Sequence, residues 1–163
     1  MNNRRSFIIG LKSLKLSAKE RIFLKEFKPW GVILFARNIK NIKQASNLTS
    51  SIRKIFNDRK YPILIDQEGG RVNRLKNLIS FDNLTSEFFG NKYINNLKEF
   101  KIYYKLFIDK TSYLLRSIGA NINTVPVLDL RIKGASNVIG DRSFSADPKI
   151  VSRIGDHCIK YYH

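Results

Sequence analysis

The chain has 163 residues, 43% of them hydrophobic, with 11 Phe, 7 Tyr and 1 Trp; that is a folded domain with a core, not a disordered segment. No apolar run approaches the roughly 20 residues a spanning helix needs, so no membrane partner is expected. The net charge of +17, from 30 Lys+Arg against 13 Asp+Glu, raises nucleic acid as a ligand, but the basic residues come as scattered pairs such as Arg4-Arg5 and Arg59-Lys60, with no basic tail, aromatic interleaving or zinc spacing, and nucleic acid is not the expected partner.

In chain order, SFIIG (6–10) is a short apolar run closed by Gly10 and reads as a first strand. As a signal segment it is too short, and no small-residue cleavage site follows, so a cytoplasmic protein is expected. The lone Cys158 has no internal disulfide partner, in keeping with a reducing compartment. Ser17-Ala-Lys-Glu20 matches a capping box, so a helix starts near Ala18 and stops before Pro29. GVILFA (31–36) reads as a strand buried on both faces. From Asn41, the spacing of Ile42, Ala45, Leu48, Ile52, Ile55 and Phe56 predicts an amphipathic helix, and YPILI (61–65) a third strand.

Residues 76–96 carry no clear period and read as a long loop with one short helix. Leu97 to Ile118 is predicted helical, with Phe100, Tyr104, Phe107, Ile108, Leu114, Leu115 and Ile118 inward and Gly119 at C′. NINTVPVLDL (121–130) reads as a fourth strand in which Pro126 sits where no ladder donor is needed. Asp147-Pro148 caps and opens a last helix with Ile150, Val151, Ile154 and Ile159 on its apolar side. Four β-α units with apolar strands mean an α/β fold with a parallel sheet. That is half of a (β/α)8 TIM barrel or a small doubly wound sheet, the latter without a G-x-G-x-x-G or P-loop fingerprint.

The unusual polar residues all follow strands: Arg37-Asn38, then Asp66 to Arg74, then Asp129 to Arg142. In a parallel barrel those positions share the C-terminal face, where ligand sites are built. A strand-end Asp66 accepts ligand hydroxyls, Gly69-Gly70 allow positive φ, and Arg71, Arg74 and Arg142 offer planar donor forks. Together they suit a sugar; singly, each has a structural reading as an ion pair or turn cap. His157, His163 and Cys158 do not read as catalytic, and there is no metal-ligand cluster or serine elbow.

GVILFARNI (31–39), LIDQEGGRVNRL (64–75) and INTVPVLDLRIKGASNVIGDRSFSADP (122–148) resemble, in order and spacing, the bacterial β-N-acetylhexosaminidases of glycoside hydrolase family 3, the NagZ type. The resemblance implies the N-terminal half of a (β/α)8 barrel. It also implies hydrolysis of terminal N-acetylglucosamine from peptidoglycan-derived muropeptides with retention, using an Asp nucleophile and a His-Asp acid/base dyad and no cofactor. Carried over, Asp66, Arg74 and Arg142 contact substrate, and Glu68, Gly69, Gly70 and Arg71 support the loop.

The family's KHFPGHG-type block does not occur within residues 1–163, so no catalytic residue is assigned. The expectation is a truncated N-terminal domain over 1–163, inactive alone, that self-associates or needs a half-barrel partner. The alternatives are half of a split enzyme, or a non-catalytic basic module binding nucleic acid or anions.

Overall fold

The computed structural model describes residues 4–134 and 136–163. Its elements run β1 (Arg5–Gly10), α1 (Ala18–Phe27), β2 (Pro29–Leu34), α2 (Ile42–Phe56), β3 (Ile63–Ile65), α3 (Ser86–Asn95), α4 (Leu97–Ile118), β4 (Ile122–Asn123) and α5 (Pro148–Tyr162). The four strands form one parallel sheet in the order β1-β2-β3-β4. A doubly wound sheet reverses its strand order at a switch point. This one adds each strand beside the last, as in the first half of a (β/α)8 barrel.

The helix starts follow their local signals. Ser17 accepts from the Glu20 N–H while the Glu20 carboxylate reaches back to the Ser17 N–H, completing the capping box. Asn41 and Asp147 cap α2 and α5 through their side chains. α4 has the predicted bounds, and its seven predicted inward residues are all buried.

The connection between β3 and β4 carries the short helix α3 within the expected loop and then the long helix α4, as read from the sequence. Three expectations need correction. β2 begins at Pro29 and ends at Leu34, and the next residues wind into a 3-10 turn. The fourth strand is two residues long, not ten: the chain bonds to β3 through Asn121 N–H to Ile63 C=O and Thr124 N–H to Ile65 C=O, then meets Pro126, which has no N–H for a ladder. Ile42 and Ile159, read as inward, are exposed.

The chain divides into two compact units. The first holds the chain up to Asp66, Arg74–Ser80 and Leu114–Thr124, and with them the whole sheet. Its core is aliphatic: Leu24, Val32, Leu34, Ile39, Leu48, Ile52, Ile63, Ile65, Leu75, Leu115 and Ile118 are buried together. Tyr61 is its one buried ring. It stacks on Phe56 at 3.9 Å, donates to the Pro29 carbonyl at 2.8 Å, and burial pushes its phenol up to about 12.

The second unit comprises Gln67–Asn73, Phe81–Tyr113 and Val125–His163. Its core is aromatic. Phe89, Phe100, Phe107, Phe144 and Tyr161 surround Tyr104 with centroids 4.8 to 6.4 Å away. Such ring pairs prefer offset or edge contacts, which stabilise beyond the area they bury.

Candidate functional site

In the first unit, register decides what lies beyond the strand ends. Leu34 pairs with Ile65 and Ile65 with Asn123. The next residue on each strand is Phe35, Asp66 and Thr124, a row across the C-terminal edge of β2, β3 and β4. Asp66 is partly buried and is contacted from two sides. Arg74 donates from Nη2 to Oδ2 at 3.4 Å, and the Thr124 hydroxyl lies 3.3 Å from Oδ1.

Both contacts are long for groups of these types. That threonine hydroxyl is equally close to the Ile65 carbonyl, so its single proton is shared between two acceptors. The Phe35 ring faces two guanidiniums, Arg37 at 4.4 Å and Arg74 at 5.4 Å from its centroid. Arg37 is held by donating from Nε to the Leu11 carbonyl at 2.8 Å.

The second unit holds the rest of the IDQEGGRVNRL motif. Gly69 and Gly70 have φ of 99° and 53°. A Cβ on Gly69 would lie 2.2 Å from the Leu84 carbonyl oxygen, so both backbone sign and space demand glycine there. The loop closes with Val72 N–H donating to Gly69 and Gly70 N–H donating to Phe81.

Glu68 points inward and accepts two 2.7 Å bonds from Arg142 Nε and Nη2, a bidentate pair across 74 residues. Arg71 pairs with Asp141 at 3.0 Å and donates to the Asn137, Val138 and Ile139 carbonyls. A cavity of about 20 Å³ lies among Glu68, Ser86, Phe89, Tyr104, Pro126 and Cys158. It has room for one water and not for a sugar ring.

The sequence-derived residues thus fall into two sets. Asp66 and Arg74 meet in the first unit; Glu68, Gly69, Gly70, Arg71 and Arg142 are joined in the second. Phe35 and Thr124 were missed. Their signal was positional, one residue past an apolar strand, and it was hidden because the strand ends were misjudged.

His157 packs among Tyr93, Phe100 and Tyr161, where burial lowers its pKa. Cys158 is buried against Tyr104, and burial pushes its thiol up. Among the described residues no group of three His, Cys, Asp or Glu could hold a metal ion, and no helix is long and apolar enough to cross a membrane.

Residues 8–163 match the family described as glycosyl hydrolase family 3 N terminal domain. The chain is 34% identical over 147 residues to a beta-hexosaminidase of Xanthomonas euvesicatoria and 32% identical over 151 residues to one of Thioalkalivibrio sulfidiphilus, covering 89% and 92% of itself. It spans 42% of the length of each of those relatives. NagZ from Neisseria gonorrhoeae, solved in complex with N-trifluoroacetyl-D-glucosamine, superposes with a TM-score of 0.85 at 26% identity, over 98% of this chain and 46% of that one. A family 3 beta-N-acetylglucosaminidase from a Paenibacillus species gives 0.78 at 28% identity, over 96% of this chain and 29% of that one.

Proposed function

Because the chain belongs to the glycosyl hydrolase family 3 N-terminal domain family, we propose that it supplies the sugar-gripping part of a β-N-acetylhexosaminidase site acting on terminal N-acetylglucosamine of peptidoglycan-derived muropeptides in the cytoplasm. The observation that carries this is the loose hold on Asp66. Its carboxylate is about a quarter exposed and its two contacts are 3.3 and 3.4 Å, which leaves acceptor capacity for ligand hydroxyls. Arg74, beside the same carboxylate, is a second proposed contact for a ligand oxygen.

Glu68 has the opposite situation. It is buried and doubly bonded, so it fixes the guanidinium of Arg142, which is a proposed substrate contact. Arg71 and Gly69-Gly70 shape the loop that carries Glu68.

The same geometry supports the reading that residues 1–163 alone bind without cleaving. Glycoside hydrolysis needs an acid/base and a nucleophile or activated water near the bond. Here Asp66 and Glu68 face arginines and His157 faces rings. The test is calorimetric titration of 1–163 with N-acetylglucosamine, alongside a chromogenic β-N-acetylglucosaminide. Weak binding abolished by Asp66→Ala, with no turnover, is expected. Turnover that is lost on Asp66→Ala would overturn the inactivity, and binding indifferent to Asp66→Ala would overturn the site.

Two observations favour a partner segment that completes the fold. Among the described residues β4 pairs with β3 and with no other strand, leaving a ladder edge in the first unit. In the second unit an apolar groove of about 350 Å³ is lined by Pro126, Leu128, Leu130, Val151 and Ile159, with Leu128 and Ile159 more than half exposed. Further β/α polypeptide of this family, in the same or a separate chain, is the proposed occupant. Co-expression of 1–163 with the C-terminal part of a family relative is expected to restore turnover, and Leu128→Glu to abolish that rescue.

A further inference from the structure

α4 carries an outer face that the sugar reading does not use. Its inner side is spent on the cores through Phe100, Tyr104, Phe107, Ile108 and Thr111. On the opposite side Ile102, Leu106 and Tyr113 stand at i, i+4 and i+11, one above another along the helix. They are 51%, 60% and 58% exposed. Scattered exposed apolar residues need no explanation, but a row on one helix face does.

Lysines border the row. At 100° per residue, Lys98 and Lys105 run along one side with Lys101 beyond them, and Lys110 runs along the other beside Glu99, while Asp109 falls within the row. The two carboxylates of α4 are already matched, Glu99 with Lys92 of α3 and Asp109 with Lys105 of α4 itself. Lys98, Lys101 and Lys110 have no carboxylate at ion-pair distance among the described residues.

We propose that the outer face of α4 docks on an anionic lipid surface, with Ile102, Leu106 and Tyr113 entering the headgroup region and Lys98, Lys101 and Lys110 meeting lipid phosphates. The contact is peripheral, because no helix among the described residues can span a bilayer. The expectation of no membrane partner rested on the lack of a spanning run and did not bear on surface contact. Helices that lie at an interface combine an apolar stripe with flanking Lys and Arg, and anionic lipid attracts basic residues.

Charge decides among occupants. A second copy would bring another +17 chain and another lysine border to the same seam. Nucleic acid would use the lysines but has no use for Ile102 and Leu106, since base stacking needs aromatic rings.

Flotation of the 163-residue chain with vesicles of phosphatidylglycerol and phosphatidylcholine, against pure phosphatidylcholine, tests this at about 0.1 M salt. Binding is expected only to the anionic vesicles. The Lys98→Gln, Lys101→Gln, Lys110→Gln variant is expected to weaken it on the order of a hundredfold. The Ile102→Ser, Leu106→Ser variant is expected to weaken it at least tenfold with an unchanged circular dichroism spectrum, since both residues are exposed.

No flotation, or flotation that the α4 variants leave intact, would overturn the proposal. So would a dimer on size-exclusion that Leu106→Ser dissolves, which would assign the face to a second copy. Tighter retention on duplex DNA than on vesicles, unaffected by the serine variant, would assign the lysines to nucleic acid.

Discussion

The two units solve the same packing problem with different chemistry. The first builds a sheet and fills the space against its helices with Leu, Ile and Val, so its cohesion rests on a backbone ladder and many small contacts. Among its described residues the second has no strand, only the isolated Gly69–Val72 bridge, and it is held by rings around Tyr104. The difference teaches where a ligand carboxylate is tolerated. At the end of a ladder the backbone is already satisfied, so Asp66 is held loosely and remains available. Inside a ring cluster an unpaired carboxylate is costly, so Glu68 is locked to Arg142.

The hardest test of this comparison is to hollow out each core. Phe100→Ala is expected to cost about 3–5 kcal/mol and Ile63→Ala about 2–5 kcal/mol, because both side chains are fully buried. Hydrogen exchange should show the loss of protection concentrated in the mutated unit, since local stability is not uniform. Equal loss in both units for either substitution would mean that they unfold as one body.

A smaller contrast sharpens the carboxylates. Glu68→Gln leaves Arg142 without its charge partner in a side-chain environment only 4% exposed at Glu68, and is expected to cost about 2–3 kcal/mol in urea unfolding. Asp66→Asn, at 26% exposure and with a 3.4 Å contact, is expected to change stability by no more than about 0.5 kcal/mol while removing sugar binding. Reversed magnitudes would exchange the structural and binding roles.

The smallest effect is pH dependence from His157. Burial holds its folded pKa below the ordinary 6.5, with Lys101 and Lys160 acting in the same direction and Asp156 against them. The unfolded chain therefore binds the proton first. The contribution is complete above pH 6.5 and is lost as pH falls from there through the folded value. Thermal melts of wild type and His157→Asn should diverge in slope only in that window.

What the residues determined unaided is local. Ser17, Asn41 and Asp147 mark helix starts because a cap is a hydrogen bond within three residues, and the inward face of α4 follows from 3.6-residue periodicity. The polar residues after the second and third strands were legible for a similar reason, as abrupt changes following apolar runs. Tertiary structure decided the rest. Strand length depends on how far a neighbour extends its ladder, which is why the fourth strand shrank to Ile122–Asn123 and why Phe35 and Thr124 emerged beside Asp66 only once register was known. The two carboxylates of IDQEGGRVNRL lie two residues apart in the chain, and no local rule separates them. Their roles diverge because Glu68 meets an arginine 74 residues away, a contact that only the folded chain creates.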